Sequence, residues 1–272
     1  MTDQSTIDRL HIMKLTKMAE NYLLQEQDQR IKAMSFDERF ALMVDAEFRS
    51  RINDRRARYR KQAQLEQPGT RVEEINYEAG RTLNRRRIEQ LATCAYIDQA
   101  INVFITGKTG EGKTYLACAL GNCAIDLDIK TLFVRIPDFL IEMEEAKQAG
   151  TYSKALKKYL KPQLLILDEW LLERPTENEC HDIADLIHKR RRQSSTIFCS
   201  QYPSEEWYDQ LGGANNPLAE AVLIGQAVSL ARYIQKPLLT AIRRLCRETY
   251  RKSASKLPNV RWEQNSRQSL GE

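Results

Sequence analysis

The stretch Gly107-Lys-Thr-Gly-Glu-Gly-Lys-Thr114 has the form G-x-x-x-x-G-K-[ST], with glycines, a lysine and a hydroxyl side chain at fixed spacing. A β-prone run at 102–106 precedes it, and a helix-like run rich in Ala and Leu follows at 113–127. In such a strand–loop–helix setting, the spacing is typical of a loop whose backbone N–H groups bind phosphate. An ordinary Gly-rich turn is the alternative, and the two flanking runs favour the phosphate-binding loop.

The loop residues have distinct predicted roles. Lys113 would reach the β- and γ-phosphates of a nucleotide, and the Thr114 hydroxyl would take a place on Mg²⁺. The helix that follows adds the positive end of its dipole. The predicted cofactors are therefore ATP and Mg²⁺. The loop residues predicted to bind the nucleotide are Gly107, Lys108, Thr109, Gly110, Glu111, Gly112, Lys113, Thr114 and Tyr115.

Two acidic residues after an apolar strand complete the predicted site. The run 164–167 is fully apolar and leads into Asp168 and Glu169, which a parallel sheet would bring beside the loop. Asp168 would hold Mg²⁺ directly or through water, and Glu169 would polarise the water that attacks the γ-phosphate. The predicted catalytic residues are Lys113, Asp168 and Glu169, and the predicted metal ligands are Thr114 and Asp168.

A further apolar strand, 196–199, ends in Ser200 and Gln201. One of these two side chains would face the γ-phosphate as a polar sensor, and Ser200 is counted among the predicted nucleotide-binding residues. A polar residue that merely ends a strand is the alternative.

Strand-like and helix-like runs alternate after residue 100. Apolar strands at 131–135, 164–167 and 196–199 are separated by helical runs. Such strands are buried on both faces, which predicts an α/β fold with a parallel sheet flanked by helices. Before it, helical spacing over 7–33 and a capping box from Ser35 to Glu38 predict a small all-helical region that ends near Pro68-Gly69. The predicted domains are 1–66, 67–250 and a polar, basic tail at 251–272.

Charge is unevenly distributed along the 272 residues, although the net charge is only +5. Residues 232–272 contain ten Lys or Arg against three acids, and the stretch 49–61 contains seven bases against one acid. A basic stretch of this kind suits a phosphate backbone, whereas a solvated helix face is the ordinary alternative. The predicted DNA-binding residues are Arg49, Arg51, Arg55, Arg56, Arg58, Arg60 and Lys61.

Composition limits the class of protein. The hydrophobic content of 42% is enough for a core. The sequence contains no run of about 18 apolar residues, so we expect no membrane span. The start of the sequence lacks the apolar segment of a signal peptide. None of the six cysteines forms a C-x-x-C pair, so we expect a reduced, cytoplasmic protein without a disulfide framework.

Taken together, these residues resemble the IstB/DnaC-type branch of the AAA+ ATPases, and specifically the IstB-like ATP-binding helpers of insertion-sequence transposition. The resemblance includes 15–19, 35–39, 45–47, 102–119, 164–171 and 195–203 with the following Glu206-Trp207. Within the last stretch, Thr196-Ile-Phe-Cys-Ser-Gln201 and then Pro203-x-Glu-Glu-Trp207 are quite specific. It implies a helical N-terminal DNA-binding and assembly domain, an AAA+ P-loop core, ATP-dependent homo-oligomers in a ring or filament that grip duplex DNA, and stimulation of a partner transposase.

The chain departs from this family after Val222. Leu223-Ile-Gly-Gln226 stands where the family usually continues with Leu-Asp-Arg, and the later Gly-Glu-Ser-x-Arg-like segment has no clean match. It therefore stays open which arginine, if any, this chain offers to the ATP of a neighbouring subunit. Two other functions also stay open, a DnaC-like helicase loader and a nucleotide-gated scaffold that does not hydrolyse ATP. The candidates for the arginine are Arg190, Arg191, Arg192, Arg232, Arg243 and Arg244.

Overall fold

A parallel four-stranded sheet forms the centre of the computed structural model, which describes residues 4–77 and 83–213 together with Asn216 and Ala219. The strands are β1 (Val103–Thr106), β2 (Thr131–Arg135), β3 (Leu164–Asp168) and β4 (Ser195–Ser200). The helices are α1 (Gln4–Ile12), α2 (Thr16–Gln27), α3 (Gln29–Lys32), α4 (Phe36–Ala63), α5 (Arg85–Ala92), α6 (Ala95–Asp98), α7 (Lys113–Asp126), α8 (Ile136–Gln148), α9 (Tyr152–Leu160), α10 (Glu177–Arg190) and α11 (Trp207–Gln210), with 3₁₀ turns at Val72–Glu74 and Ser204–Glu206.

The strand order β1-β4-β3-β2 places the ends of the predicted site strands next to one another. In register, Thr106 lies beside Ser200, and Arg135 lies beside Asp168. All neighbouring pairs are parallel, so these four carboxyl ends form one edge of the sheet. The predicted α/β core with a parallel sheet is confirmed.

Helices cover both faces of this sheet. Successive strand residues point to opposite faces, and because both sets are apolar here, both faces must be covered. In β3, Leu164 and Ile166 join an apolar cluster with α5, α6 and α7. Leu165 and Leu167 join a second cluster with α8, α9 and α10 on the other face. No helix in the described parts of the chain is long and apolar enough to cross a membrane.

The N-terminal region is helical, as the sequence predicts. The capping box at the start of α4 is present, with Ser35 accepting from the Glu38 backbone N–H and Glu38 reaching back to Ser35. The helix then continues for 28 residues. Its last residue, Ala63, and Leu65 beyond it are buried in the same apolar cluster as α7. The helical region therefore packs directly onto the core, and the boundary at residue 66 stays a prediction.

A carboxylate from α4 caps the start of α2. Glu47 Oε2 accepts the backbone N–H groups of Lys17 (2.9 Å) and Met18 (3.2 Å), while its Oε1 accepts from Arg51 Nε (2.7 Å). The first N–H groups of a helix have no partner within the helix, and a negative charge there also suits the helix dipole. Leu15, the residue at the cap position, supplies no side-chain bond, so Glu47 performs this role from another helix.

Replacing Glu47 by Gln is expected to lower the free energy of unfolding by about 1 kcal/mol at neutral pH, as for other lost helix caps. Burial alone would raise the pKa of Glu47, but the bonds from Arg51, Met18 and Lys17 bring that pKa below its ordinary value. The carboxylate therefore contributes stability at neutral pH that is lost as the pH falls through its folded-state pKa. Urea unfolding across pH should show the advantage of wild type over Glu47→Gln shrinking in acid, whereas the control Glu145→Gln, which changes an exposed side chain of α8, should change the free energy of unfolding by less than about 0.5 kcal/mol at neutral pH.

Candidate functional site

The loop between β1 and α7 adopts the backbone that a phosphate-binding loop needs. Gly110 and Gly112 have φ values of +82° and +86°, a left-handed conformation that favours glycine. The Glu111 side chain folds back over the loop and accepts the Lys108 backbone N–H (2.8 Å). A Cβ atom at Gly107 would collide with that carboxylate, so this glycine also allows the close approach of Glu111.

The loop lysine and threonine lie beside the carboxyl end of β3. Lys113 Nζ donates to the Lys108 carbonyl oxygen at 2.9 Å, which places the ammonium over the loop. The Thr114 hydroxyl donates to Asp168 Oδ2 at 2.6 Å. Two predicted metal ligands, 54 positions apart in the sequence, are therefore in direct contact.

Glu169 lies next to this pair in a strained backbone conformation. Its φ is +55°, uncommon for a residue with a side chain, and its backbone N–H donates to Asp168 Oδ1 at 2.9 Å. Its carboxylate lies 3.5 Å from Arg135 Nε at the end of β2, and Arg135 also approaches Asp138 at 3.3 Å. The predicted catalytic carboxylate thus has a basic neighbour that the sequence did not indicate.

The Ser200 side chain points into the protein. This residue is fully buried, and its hydroxyl donates to the Trp170 carbonyl oxygen (2.8 Å) and accepts the Tyr202 backbone N–H (3.1 Å). The adjacent Gln201 is exposed at the same edge of the sheet. Nucleotide contact by Ser200 stays a prediction, and Gln201 is the more accessible of the two sensor candidates.

Tyr115 is directed to the segment that precedes the core. Its hydroxyl donates to the Arg71 carbonyl oxygen at 3.1 Å and lies 3.4 Å from Glu74 Oε2. These contacts tie the start of α7 to the Val72–Glu74 turn. A role for Tyr115 in nucleotide binding stays a prediction.

The residues at this edge of the sheet suit ATP and Mg²⁺. The hydroxyl oxygen of Thr114 and the carboxylate oxygen of Asp168 are the hard ligands that Mg²⁺ prefers. Among the described residues, no group of three or more His, Cys, Asp or Glu is placed to hold a metal ion on its own. A cation here would share its coordination with substrate phosphates, which is how Mg²⁺ is usually bound.

The basic stretch at 49–61 forms the second half of α4, and several of its arginines form ion pairs with carboxylates. Arg55 and Arg56 lie 3.0 Å and 3.4 Å from Asp128, and Arg60 pairs with Asp126. Asp126 is the last residue of α7 and Asp128 lies two residues beyond it, so these arginines join the helical region to the core. Arg51 pairs with Glu47 within α4 at 2.7 Å.

Three members of the predicted DNA-binding set are more accessible. Arg49 has a side chain that is 77% exposed and lies 3.9 Å from Asp45. The Arg58 guanidinium lies 6.0 Å from the Tyr59 ring centre, and Lys61 is exposed. These three side chains can meet a phosphate without breaking an ion pair to the core.

The sequence from residue 8 to residue 226 matches the model of a family described as IstB-like ATP binding protein. The chain belongs to this family. It is 38% identical to the protein assigned as ATP-binding in insertion sequence IS1162 of Pseudomonas fluorescens, over 75% of this chain and 88% of that protein. It is 31% identical to an insertion-sequence ATP-binding protein of Sinorhizobium fredii strain NGR234, over 82% of this chain and 90% of that protein.

Solved structures with a similar core include proteins of DNA replication. A crystal structure of a DNA replication initiation factor has a TM-score of 0.49 and 21% identity, and the match covers 58% of this chain and 48% of that one. The DnaC helicase loader has a TM-score of 0.46 and 21% identity, over 59% of this chain and 89% of that one.

Of the arginine candidates for a neighbouring subunit's ATP, Arg190 has a structural role. It is 3% exposed, and its guanidinium donates to the carbonyl oxygens of Tyr159 (2.8 Å), Pro162 (2.9 Å) and Ser195 (2.6 Å) and to the Thr196 hydroxyl (3.1 Å). Burial lowers the pKa of Arg190 to about 9, so it stays charged at neutral pH. A side chain held in this way is not available to a neighbouring IstB-like subunit.

The other arginine candidates differ in accessibility. Arg191 is half-buried, and Arg192 is exposed with a φ of +61°. Arg232, Arg243 and Arg244 lie outside the described residues, as do the whole departure from the family pattern after Val222 and the predicted tail.

Replacing Arg190 by Met is expected to lower the free energy of unfolding by about 3 kcal/mol, because it leaves several buried carbonyl oxygens without a donor. The neighbouring Lys189→Met, which changes an exposed side chain, serves as the control and should cost less than about 1 kcal/mol. Urea denaturation of both variants measures the difference, and equal stabilities would contradict the structural role.

Proposed function

We propose that this member of the IstB-like family is an Mg²⁺-dependent ATPase that binds duplex DNA as an ATP-dependent oligomer and assists a transposase in insertion-sequence transposition. The observation that carries the ATPase part is the 2.6 Å contact between the Thr114 hydroxyl and Asp168, with Glu169 beside it. It brings the phosphate loop and the acidic strand end together at one edge of the sheet. The transposase partner is supported by the insertion-sequence origin that the names of the relatives print.

The chemistry of the proposed reaction is divided among a few side chains. Lys113 and the backbone N–H groups of the loop bind and orient the β- and γ-phosphates. Thr114 and Asp168 would hold Mg²⁺, which supplies charge neutralisation on the phosphate oxygens. Glu169 accepts a proton from the attacking water and orients it in line with the γ-phosphate. Arg135 Nε, 3.5 Å from the Glu169 carboxylate, gives it an oppositely charged neighbour at this edge of the sheet.

Proposed DNA binding is supported by the accessible part of the basic stretch. Arg49, Arg58 and Lys61 lie on α4 and make no ion pair to the core among the contacts of the described residues. In an oligomer, such side chains from several subunits would contact successive phosphates of one duplex. Each phosphate neutralised releases counterions, so the contributions to affinity would add up. Domain 1–66 would then combine DNA binding and assembly.

The test of this function is duplex-DNA binding with ATP, with ADP and without nucleotide, across a salt series. Wild type should bind arbitrary duplex tightly only with ATP, with formation of large assemblies. Replacing Arg49, Arg58 and Lys61 together by Gln should reduce the slope of log affinity against log salt by up to about 3.

A matched control removes three lysines outside the basic stretch. Lys154, Lys157 and Lys161 lie on or directly after α9 and are exposed. Replacing them by Gln changes the net charge equally and should leave the salt slope unchanged. An equal loss in both triple variants would indicate net charge rather than a defined DNA surface. Absence of duplex binding in every nucleotide state would contradict the proposed role in transposition and favour the helicase loader.

A further inference from the structure

The connection after β3 contains two strained residues on either side of a buried tryptophan. Glu169 and Leu171 both have a φ of +55°, which residues with a side chain rarely adopt. Trp170, between them, is 1% exposed. Strained residues of this kind persist only where surrounding structure determines them closely. The contacts of Trp170 identify that surrounding structure.

Consecutive residues of β4 hold both backbone polar groups of Trp170. Its N–H donates to the Cys199 carbonyl oxygen at 2.8 Å, and its carbonyl oxygen accepts the Ser200 hydroxyl at 2.8 Å. A hydroxyl has one proton to donate. Because Ser200 gives this proton to Trp170, it has none left to donate to a phosphate oxygen.

Aromatic packing anchors the same tryptophan. The Trp170 ring meets Phe198 of β4 edge-on, with centroids 4.7 Å apart, and lies 6.0 Å from Trp207. Trp207 Nε1 in turn donates to the Tyr202 carbonyl oxygen at 3.0 Å, and the Tyr202 N–H donates to Ser200. Ser200 is therefore the polar centre of a buried unit that includes β4, Trp170 and the segment after β4.

We propose that Ser200 is a positioning residue for Glu169, acting through Trp170. The hydroxyl fixes the Trp170 carbonyl, so the strained turn at 169–171 stays in the conformation that directs Glu169 to the nucleotide edge. Misplacement of a reacting group by about 1 Å can cost on the order of 10²-fold in rate. This inference rests on the proposed ATPase function and assigns Ser200 a role different from direct contact with the γ-phosphate.

The experiment compares Ser200→Ala with Ser195→Ala. Ser195 is in the same strand, is also fully buried, and donates its hydroxyl to the Tyr96 carbonyl oxygen at 3.2 Å, but at the opposite end of β4. Both variants lose one buried hydroxyl–carbonyl bond, and Ser200→Ala also loses the acceptor of the Tyr202 N–H, so both should lower the melting temperature, Ser200→Ala somewhat more. Only Ser200→Ala should lose turnover, with kcat reduced about 10- to 100-fold and equilibrium ATP and ADP affinities within about twofold of wild type.

A second variant, Ser200→Cys, keeps nearly the same shape but offers a weaker donor. Its kcat should fall between those of wild type and Ser200→Ala. A selective loss of ATP affinity with ADP affinity unchanged would overturn the proposal in favour of direct γ-phosphate contact. Wild-type kcat in Ser200→Ala, or an equal loss of kcat in Ser195→Ala, would also overturn it. Absence of ATP hydrolysis by wild type would instead refute the proposed ATPase itself, and this inference with it.

Discussion

Glu169→Gln is expected to reduce ATP turnover by about 10³-fold while leaving ATP affinity nearly unchanged. The amide keeps the size of the carboxylate but cannot take a proton from water. The contacts that bind phosphate come from Lys113, Thr114 and the loop backbone, none of which the substitution removes. Steady-state phosphate release and equilibrium binding of a fluorescent ATP analogue measure the two effects separately.

A control for this variant is Glu173→Gln in the same connection after β3, where the side chain is exposed. It should retain wild-type turnover. Assemblies formed with ATP should persist longer in Glu169→Gln than in wild type, because hydrolysis would no longer dissolve them. Turnover within tenfold of wild type in Glu169→Gln would mean that another group activates the water.

Lys113→Ala is expected to weaken ATP binding by about 10³-fold, or ~4 kcal/mol. The ammonium already lies over the loop, 2.9 Å from the Lys108 carbonyl oxygen, and a bound phosphate would replace that neutral acceptor with a charged one. Charge-assisted bonds are about twice as strong as neutral ones, and the lysine meets two phosphate groups. ATP-dependent assembly and DNA binding should be lost together with nucleotide affinity.

Isothermal titration with ATP measures this loss directly. Lys154→Ala removes an exposed lysine of α9 and should leave the affinity unchanged. Thermal unfolding of Lys113→Ala without nucleotide should stay close to that of wild type, because the half-buried side chain makes one bond, to a carbonyl oxygen of the loop itself. An affinity within a few-fold of wild type would mean that the backbone cradle alone carries phosphate binding.

The local patterns were sufficient to predict the sheet and the loop. Strand 131–135 is observed as Thr131–Arg135, and the predicted strands at 164–167 and 196–199 are each present with slightly wider bounds. These strands are short apolar runs between helical runs. Their length and their continuous apolar character both predict buried strands of a parallel sheet. The capping box at Ser35 was also visible, because its two partners are three residues apart.

Contacts between distant segments could not be predicted in this way. Glu47 caps a helix about 30 residues earlier, and Arg190 binds carbonyl oxygens at the end of α9 and directly after it, about 30 residues earlier. A lone Arg135 at a strand end carries no signal until the sheet order places it beside Asp168. The sequence predicts a sensor at Ser200 because this polar residue ends a strand, whereas its buried bond to Trp170 can be seen only in the folded structure.

The pairing of α4 with the end of α7 has an electrostatic consequence. Asp126 ends α7, and Asp128 follows it, where the helix dipole is negative and a further negative charge is unfavourable. Arg55, Arg56 and Arg60 therefore act as built-in counterions for that helix end. Any partner that draws these arginines away must leave two carboxylates uncompensated at the far end of the helix that begins with Lys113. Dissolved cations can replace the arginines there, so separation of α4 from the core becomes easier as ionic strength rises.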